Sequence, residues 1–413
     1  MNRRVVVTGM GAITPIGLTV SDFWKSLIEG ANGVDYITRF DTSQFTTKFA
    51  AEVKDFDPTR YIERKLVRRM DLFTQYGVAA AKEAIEESGL DLKEEDPFRI
   101  GVIVGSGIGG LNKYEIEHRK LISNGPQRVS PFLIPMMISN ITPGYISMIY
   151  GVKGINYAPV SACATAAHAV GLGFREIKFG GSDVIITGGS EAALTHMGVA
   201  GFNAMHALSE ENDHPQKASR PFDGTRNGFV MGEGGAIVVL EALEHAKARG
   251  AKILAEVVGV GMTADAYHIT APDPEAEGAV NAMAFAIREA GLQPAEIDYI
   301  NAHGTSTPHN DRMETKAIKK VFGDDAYRVA ISSNKSMIGH MLGAGGAIEF
   351  IASVLTIRNG IVPPTINYEH PDPECDLNYT PNKAVKRDVR TAISNSFGFG
   401  GHNVTLAVQR YED

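Results

Sequence analysis

Val5-Val-Val-Thr-Gly-Met-Gly11 and Val257-Val-Gly-Val-Gly-Met-Thr263 read as two copies of one strand. Each is followed by the same helix ending, Ala84-Ile-Glu-Glu-Ser-Gly-Leu90 in the first case and Ala286-Ile-Arg-Glu-Ala-Gly-Leu292 in the second. Self-similarity in the same order signals an internal duplication. The strand copies lie 252 positions apart (5 to 257) and the helix copies 202 (84 to 286), so the first half holds about 50 extra residues between them. Each helix copy leads into a strand closing on small residues, Arg99-Ile-Gly-Val-Ile-Val-Gly-Ser-Gly107 and Ile297-Asp-Tyr-Ile-Asn-Ala-His303-Gly-Thr305. Strand-like runs (Val5 to Gly9, Arg99 to Val104, Val184 to Thr187, Ala236 to Leu240) alternate with helix-like runs (Asp71 to Ser88, Ala164 to Lys178). That alternation predicts an α/β protein with buried sheets. Two similar halves are expected, 1–250 and 251–413, divided after the helix that ends at Arg249 and stops at Gly250.

Length and composition agree with this reading. The chain has 413 residues, 44% hydrophobic and 21% charged, which is ordinary for a folded soluble protein of two to three domains' length. Its 44 glycines exceed the usual share and point to tight turns. Two cysteines cannot build a disulfide framework, and Met-Asn-Arg-Arg runs straight into a strand with no leader-like apolar stretch, so a reducing cytoplasm is expected. Residues 129–152 carry no charge and are long enough to span a bilayer, but Pro131, Pro135 and Pro143 interrupt them. A buried loop and short helix are expected there, and no membrane span. A net charge of −8 argues against a general nucleic-acid binder. Arg60, Arg64, Lys65, Arg68 and Arg69 form a local exception: on one helix they would make a basic ridge.

Several motifs could carry chemistry. Gly105-Ser-Gly-Ile-Gly-Gly110 fits the glycine pattern of a dinucleotide site and raises a dehydrogenase as one reading. The acidic residue that should close the next strand is missing, and a tight turn admitting another backbone is the better account. Cys163, in Ala158-Pro-Val-Ser-Ala-Cys-Ala-Thr165, sits where a strand feeds a helix of small residues. Unpaired N–H groups at such a start favour thiolate and can hold an oxyanion; a buried structural cysteine is the equal alternative. Cys375 lies in an acidic turn and is expected to be inert. His303 ends a strand, and His340 follows the strand Val329 to Ser333 and opens a helix, the places where α/β folds build sites. With 12 histidines, any one alone reads as structural. No histidine or cysteine spacing suits a metal, so none is expected.

Taken together, Ala162-Cys-Ala-Thr165, Asn301-Ala-His-Gly-Thr-Ser-Thr307, Lys335-Ser-Met-Ile-Gly-His-Met-Leu-Gly-Ala-Gly345 and Asn395-Ser-Phe-Gly-Phe-Gly-Gly-His402 resemble the thiolase-fold β-ketoacyl synthases, from end to end of the chain. The resemblance implies two duplicated α/β halves in five layers (αβαβα), a homodimer, and an acyltransferase of bacterial type II fatty-acid synthesis. It implies that Cys163 carries the acyl group and that His303 and His340 stabilise the enolate left by malonyl decarboxylation. It implies that the Cys163 and Phe399 N–H groups hold the oxyanion. Lys335 would set the electrostatics near His340 and Glu349 would support it. Thr270, Thr305 and Thr307 would bind pantetheine, Phe399 would gate the site, and Ile108 and Phe202 would line the acyl tunnel. Acyl carrier protein is the implied partner, delivering substrates on its phosphopantetheine, with no cofactor of the enzyme's own. Lys65, Arg68, Arg69 and Arg128 then become its docking surface. A polyketide ketosynthase shares all three catalytic residues and remains the alternative.

Overall fold

The computed structural model describes residues 2–412. Ten strands form one mixed sheet: β1 Val5–Ile13, β2 Ile100–Gly105, β3 Asn156–Tyr157, β4 Val184–Glu191, β5 Gly234–Ala242, β6 Ala255–Ala264, β7 Tyr299–Asn301, β8 Ala330–Ser332, β9 Thr391–Gly398 and β10 His402–Gln409. Their order across the sheet is β8-β7-β9-β10-β6-β1-β5-β4-β2-β3. The first five strands and the last five repeat one arrangement outward from the centre, with parallel and antiparallel pairings in the same places. The halves join where β1 meets β6, pairing Val5 with Val257, Val6 with Glu256 and Val7 with Ala255. Duplication is therefore visible as an internal two-fold centred on Val6 and Glu256.

Four helices complete the layers: α1 Leu72–Ser88, α2 Thr165–Lys178, α3 Glu277–Glu289 and α4 Gly345–Asn359. Helix α1 covers β1, α3 covers β6, and α2 and α4 pack together between the halves. This is the five-layer thiolase-like fold. Ala164, Ala166, Ala167, Ala344 and Ala347 share the central core, where small side chains let α2 and α4 approach.

The repeat is real, but its register differs from the sequence reading by two residues. A Cβ on Gly9 or Gly11 would stand 2.0 or 1.9 Å from the carbonyl oxygens of Ala84 and Ala80. On Gly259 or Gly261 it would stand 2.2 or 1.8 Å from those of Ala286 and Ala282. Glu87 accepts the Met10 N–H at 2.7 Å, and Glu289 accepts the Val260 N–H at 3.0 Å. The strand offset is thus 250 (9 to 259), while the helix offset stays at 202 (84 to 286). Slipping a strand by two keeps every side chain on its own face, so pattern matching alone does not detect the error.

Two other expectations are corrected. Residues 129–152 fold as the short helices Leu133–Met137 and Ile141–Tyr150, yet Ile134 is 59% and Met148 73% exposed, so the segment is not buried throughout. Among the described residues no helix is long and apolar enough to cross a membrane. The basic ridge is not one helix: Pro58–Arg60 and Arg64–Val67 are separate turns, and α1 starts only after the Asp71 cap. Gly261→Val is expected to destabilise the fold by about 3 kcal/mol, because α3 must move bodily to admit a side chain; a melting temperature unchanged from native would refute this packing.

Candidate active site

Each half builds an elbow ahead of its central helix. Residues Ala162–Ala164 lead into α2 and Leu342–Ala344 lead into α4, both as single 3-10 turns. Ala162 (φ +50°) and Leu342 (φ +46°) adopt left-handed backbone conformations, which cost free energy for residues with a Cβ and occur where structure overdetermines them. Cys163 occupies the middle of the first elbow and Gly343 the middle of the second. Gly398, last in β9, packs against the first elbow so closely that a Cβ there would lie 3.1 Å from both the Cys163 and Ala164 nitrogens. Only glycine leaves the Cys163 N–H approachable, the Ala164 N–H being taken by the Ser161 carbonyl at 3.1 Å.

Cys163 is half-buried and opens on a cavity that His303, His340, Phe399 and Phe202 also line. Thr270, Thr305 and Thr307 stand on the same cavity wall. Thr305 and Thr307 hydroxyls lie 2.8 Å apart, brought together by the left-handed Ser306 (φ +68°) between them. Ile108 stands outside this lining and is 37% exposed, while its N–H and that of Gly107 donate to the Glu191 carboxyl group. The helix start does not make Cys163 a resting thiolate. Burial pushes the thiol up to about 11, against the opposing pull of Lys335 and of the Phe399 N–H that points at the sulfur. Cys375 is fully buried, and burial pushes its thiol up to about 12.

The two imidazoles meet at 5.4 Å between ring centres, nearly perpendicular. His340 Nδ1 accepts the Leu342 N–H at 3.2 Å, which leaves the proton on Nε2. That Nε2 is buried and has no partner among the described residues. Lys335 Nζ lies 3.4 Å from His303 Nδ1 and donates to the His303 carbonyl at 2.5 Å and to Glu349. An ammonium against Nδ1 again leaves the ring proton on Nε2. Burial, then the Lys335 charge, hold both rings well below the usual histidine range, so both are neutral donors. Lys335 thus contacts His303 and not His340, whose backbone is fixed instead by Val230 and Gly232. Burial pushes Glu349 up to about 7, with Lys335 pulling it back.

Sequence reasoning missed Glu314, which accepts the His303 and Gly304 N–H groups at 2.8 Å each from a buried carboxylate. It also missed Phe229, edge-on to His340. A buried acidic residue on the inner face of the helix Pro308–Phe322 was the available signal for the first. Lys65, Arg68, Arg69 and Arg128 are all exposed, and Arg69 lies over the Phe132 ring at 5.0 Å. No group of three or more ligating side chains that could hold a metal ion occurs among the described residues.

Comparison with known proteins places this geometry in a family. The β-ketoacyl synthase N-terminal domain model matches residues 2–246, and the C-terminal domain model matches 254–369. A 3-oxoacyl-[acyl-carrier-protein] synthase 2 of Coxiella burnetii is 52% identical, covering 100% of this chain and 99% of its own. One of Synechocystis is 53% identical, over 99% of both. A solved structure of a type II PKS acyl-carrier protein in complex with its ketosynthase superposes with a TM-score of 0.92 at 33% identity, covering 100% of both chains. The chain belongs to the β-ketoacyl synthase family.

Proposed function

We propose that the chain is a 3-oxoacyl-acyl-carrier-protein synthase of the elongating type 2, a condensing acyltransferase of fatty-acid biosynthesis. The observation that carries this reading is the convergence of a thiol and two neutral Nε2–H imidazoles on one cavity. Identity of 52–53% to two synthases of that name, against 33% to a polyketide ketosynthase, favours fatty-acid over polyketide substrates.

The chemistry follows from the donors. Cys163 Sγ attacks the acyl thioester carbonyl, the pantetheine carbon–sulfur bond breaks, and the thiol proton passes to the departing pantetheine sulfur. The Cys163 and Phe399 N–H groups hold the oxyanion of that step. Malonyl thioester then loses carbon dioxide, and the electron pair enters its thioester as an enolate whose oxygen is met by His303 and His340 Nε2–H. The enolate carbon attacks the Cys163 thioester, and the cysteine sulfur leaves and regains a proton. Thr270, Thr305 and Thr307 are suited to the pantetheine amides, Phe399 to a gate between glycines, and Phe202 to the acyl pocket. The substrates arrive on the phosphopantetheine of acyl carrier protein, and the enzyme needs no cofactor of its own.

Acyl carrier protein is the partner suited to Lys65, Arg68, Arg69 and Arg128, none of which is in an ion pair among the described residues. A homodimer is supported by the edge strand β3 and the apolar residues beside it, Met148 (73% exposed), Val160 (56%) and Ile155 (38%). A cytoplasmic location agrees with two free cysteines.

Incubation with acyl-loaded carrier protein is expected to add one acyl mass to the Cys163 peptide, and Cys163→Ser to abolish it while the protein still folds; an adduct elsewhere overturns the mechanism. Because both histidines titrate well below 6.5, malonyl decarboxylation should stay level as pH falls from about 8 to about 6. A loss centred on pH 6.5 contradicts the neutral-donor reading. Lys65→Glu with Arg68→Glu should lower kcat/KM for carrier-borne substrate about tenfold at low salt and leave a free pantetheine thioester unaffected. Equal losses on both substrates would remove the docking role.

A further inference from the structure

Glu191 ends β4 as Gly398 ends β9, and the two sit at equivalent places against the two elbows. Gly398 leaves the Cys163 N–H at the centre of the first elbow approachable. Glu191 takes the corresponding Gly343 N–H at the centre of the second. Its Oε2 accepts the Gly343 N–H at 3.1 Å and the Gly107 N–H at 2.8 Å, while its Oε1 accepts the Ser106 hydroxyl at 2.8 Å and the Ile108 N–H at 3.2 Å. The side chain is fully buried. A carboxyl oxygen held by two backbone N–H groups occupies an oxyanion-type nest, here filled by the chain itself. The glycine turn 105–110, which resembled a phosphate cradle in sequence, turns its N–H groups onto an internal carboxyl group.

The contact reaches the chemistry through one peptide link and one hydrogen bond. Gly343 follows Leu342, and the Leu342 N–H is the donor that fixes the His340 tautomer. Leu342 holds a left-handed conformation that needs support on both sides. We infer that Glu191 is a positioning residue of the condensation: by occupying the anion site of the second elbow, it fixes Leu342 and thereby aims the His340 Nε2–H into the Cys163 cavity. A duplicated nucleophile elbow has become a bracket for a general donor. This inference rests on the ketosynthase reading and assigns Glu191 no contact with substrate.

Glu191→Gln keeps the shape but replaces one acceptor oxygen with an NH2 group facing backbone donors, so the nest loses at least one bond and gains a repulsion. Two readouts separate positioning from general damage: malonyl decarboxylation, which needs His340, and alkylation of Cys163 by iodoacetamide, which needs only the first elbow. The expected result is a fall in decarboxylation kcat of about tenfold or more with alkylation within about twofold of native. Decarboxylation within about twofold of native overturns the inference, as does a parallel loss of both activities, which marks a purely structural role. If Glu191→Gln does not fold, Ser106→Ala removes one of the four bonds and decides by the same readouts, with about a threefold selective loss expected and no selective loss overturning it. Native enzyme that fails to decarboxylate malonyl thioester would instead sink the ketosynthase reading itself.

Discussion

One buried cation organises the site. Lys335 is 2% exposed and has its Nζ against the His303 carbonyl, the His303 ring and Glu349. Placing a charge there costs desolvation, which the carboxylate and carbonyl offset. The return is electrostatic: an ammonium beside two desolvated imidazoles disfavours imidazolium on either. A protonated pair would bind the malonyl carboxylate in its ground state and resist its departure as carbon dioxide. Neutral Nε2–H donors favour the charge that develops on the thioester oxygen, which is the charge that matters for the barrier.

The duplication explains how such a site is assembled without a long loop. The two elbows touch at the starts of α2 and α4, and each half contributes what the other lacks. The first half supplies Cys163, the proposed nucleophile. The second supplies both histidines, Phe399 and the glycine that keeps the Cys163 N–H approachable. Symmetry in the scaffold is thereby converted into asymmetry at the cavity, and neither half holds a complete site.

Much of this was legible in the residues. Strand and helix positions follow from hydrophobic period: Val184 to Thr187 extends to Glu191, and Asp71 to Ser88 is a helix whose first residue is its cap. Cys163, His303 and His340, singled out by their position after strands and by motif, line one cavity. The repeat was found too, but with a two-residue slip that only the contacts of Gly9 and Gly259 correct. What stayed hidden depends on packing between distant segments. Glu191 acts through backbone N–H groups 83 to 152 residues away, which no local pattern marks, whereas Glu314 reaches backbone 10 to 11 residues away and left only a buried acid on a helix face as its signal. At Cys163 a helix start argues for thiolate, whereas burial, invisible in sequence, pushes the thiol up. Ile108 was placed in the tunnel by resemblance, and in the single chain it stands outside the lining of the Cys163 cavity.

The tautomers of His303 and His340 decide the account, and nitrogen NMR of protein labelled with ¹⁵N in its histidine rings reads them directly. At about pH 7 both residues should show neutral rings with the proton on Nε2, and both should keep that state at about pH 6. An imidazolium signal, or a proton on Nδ1, from either residue would contradict the central claim that Lys335 and the second elbow present two neutral donors to the enolate.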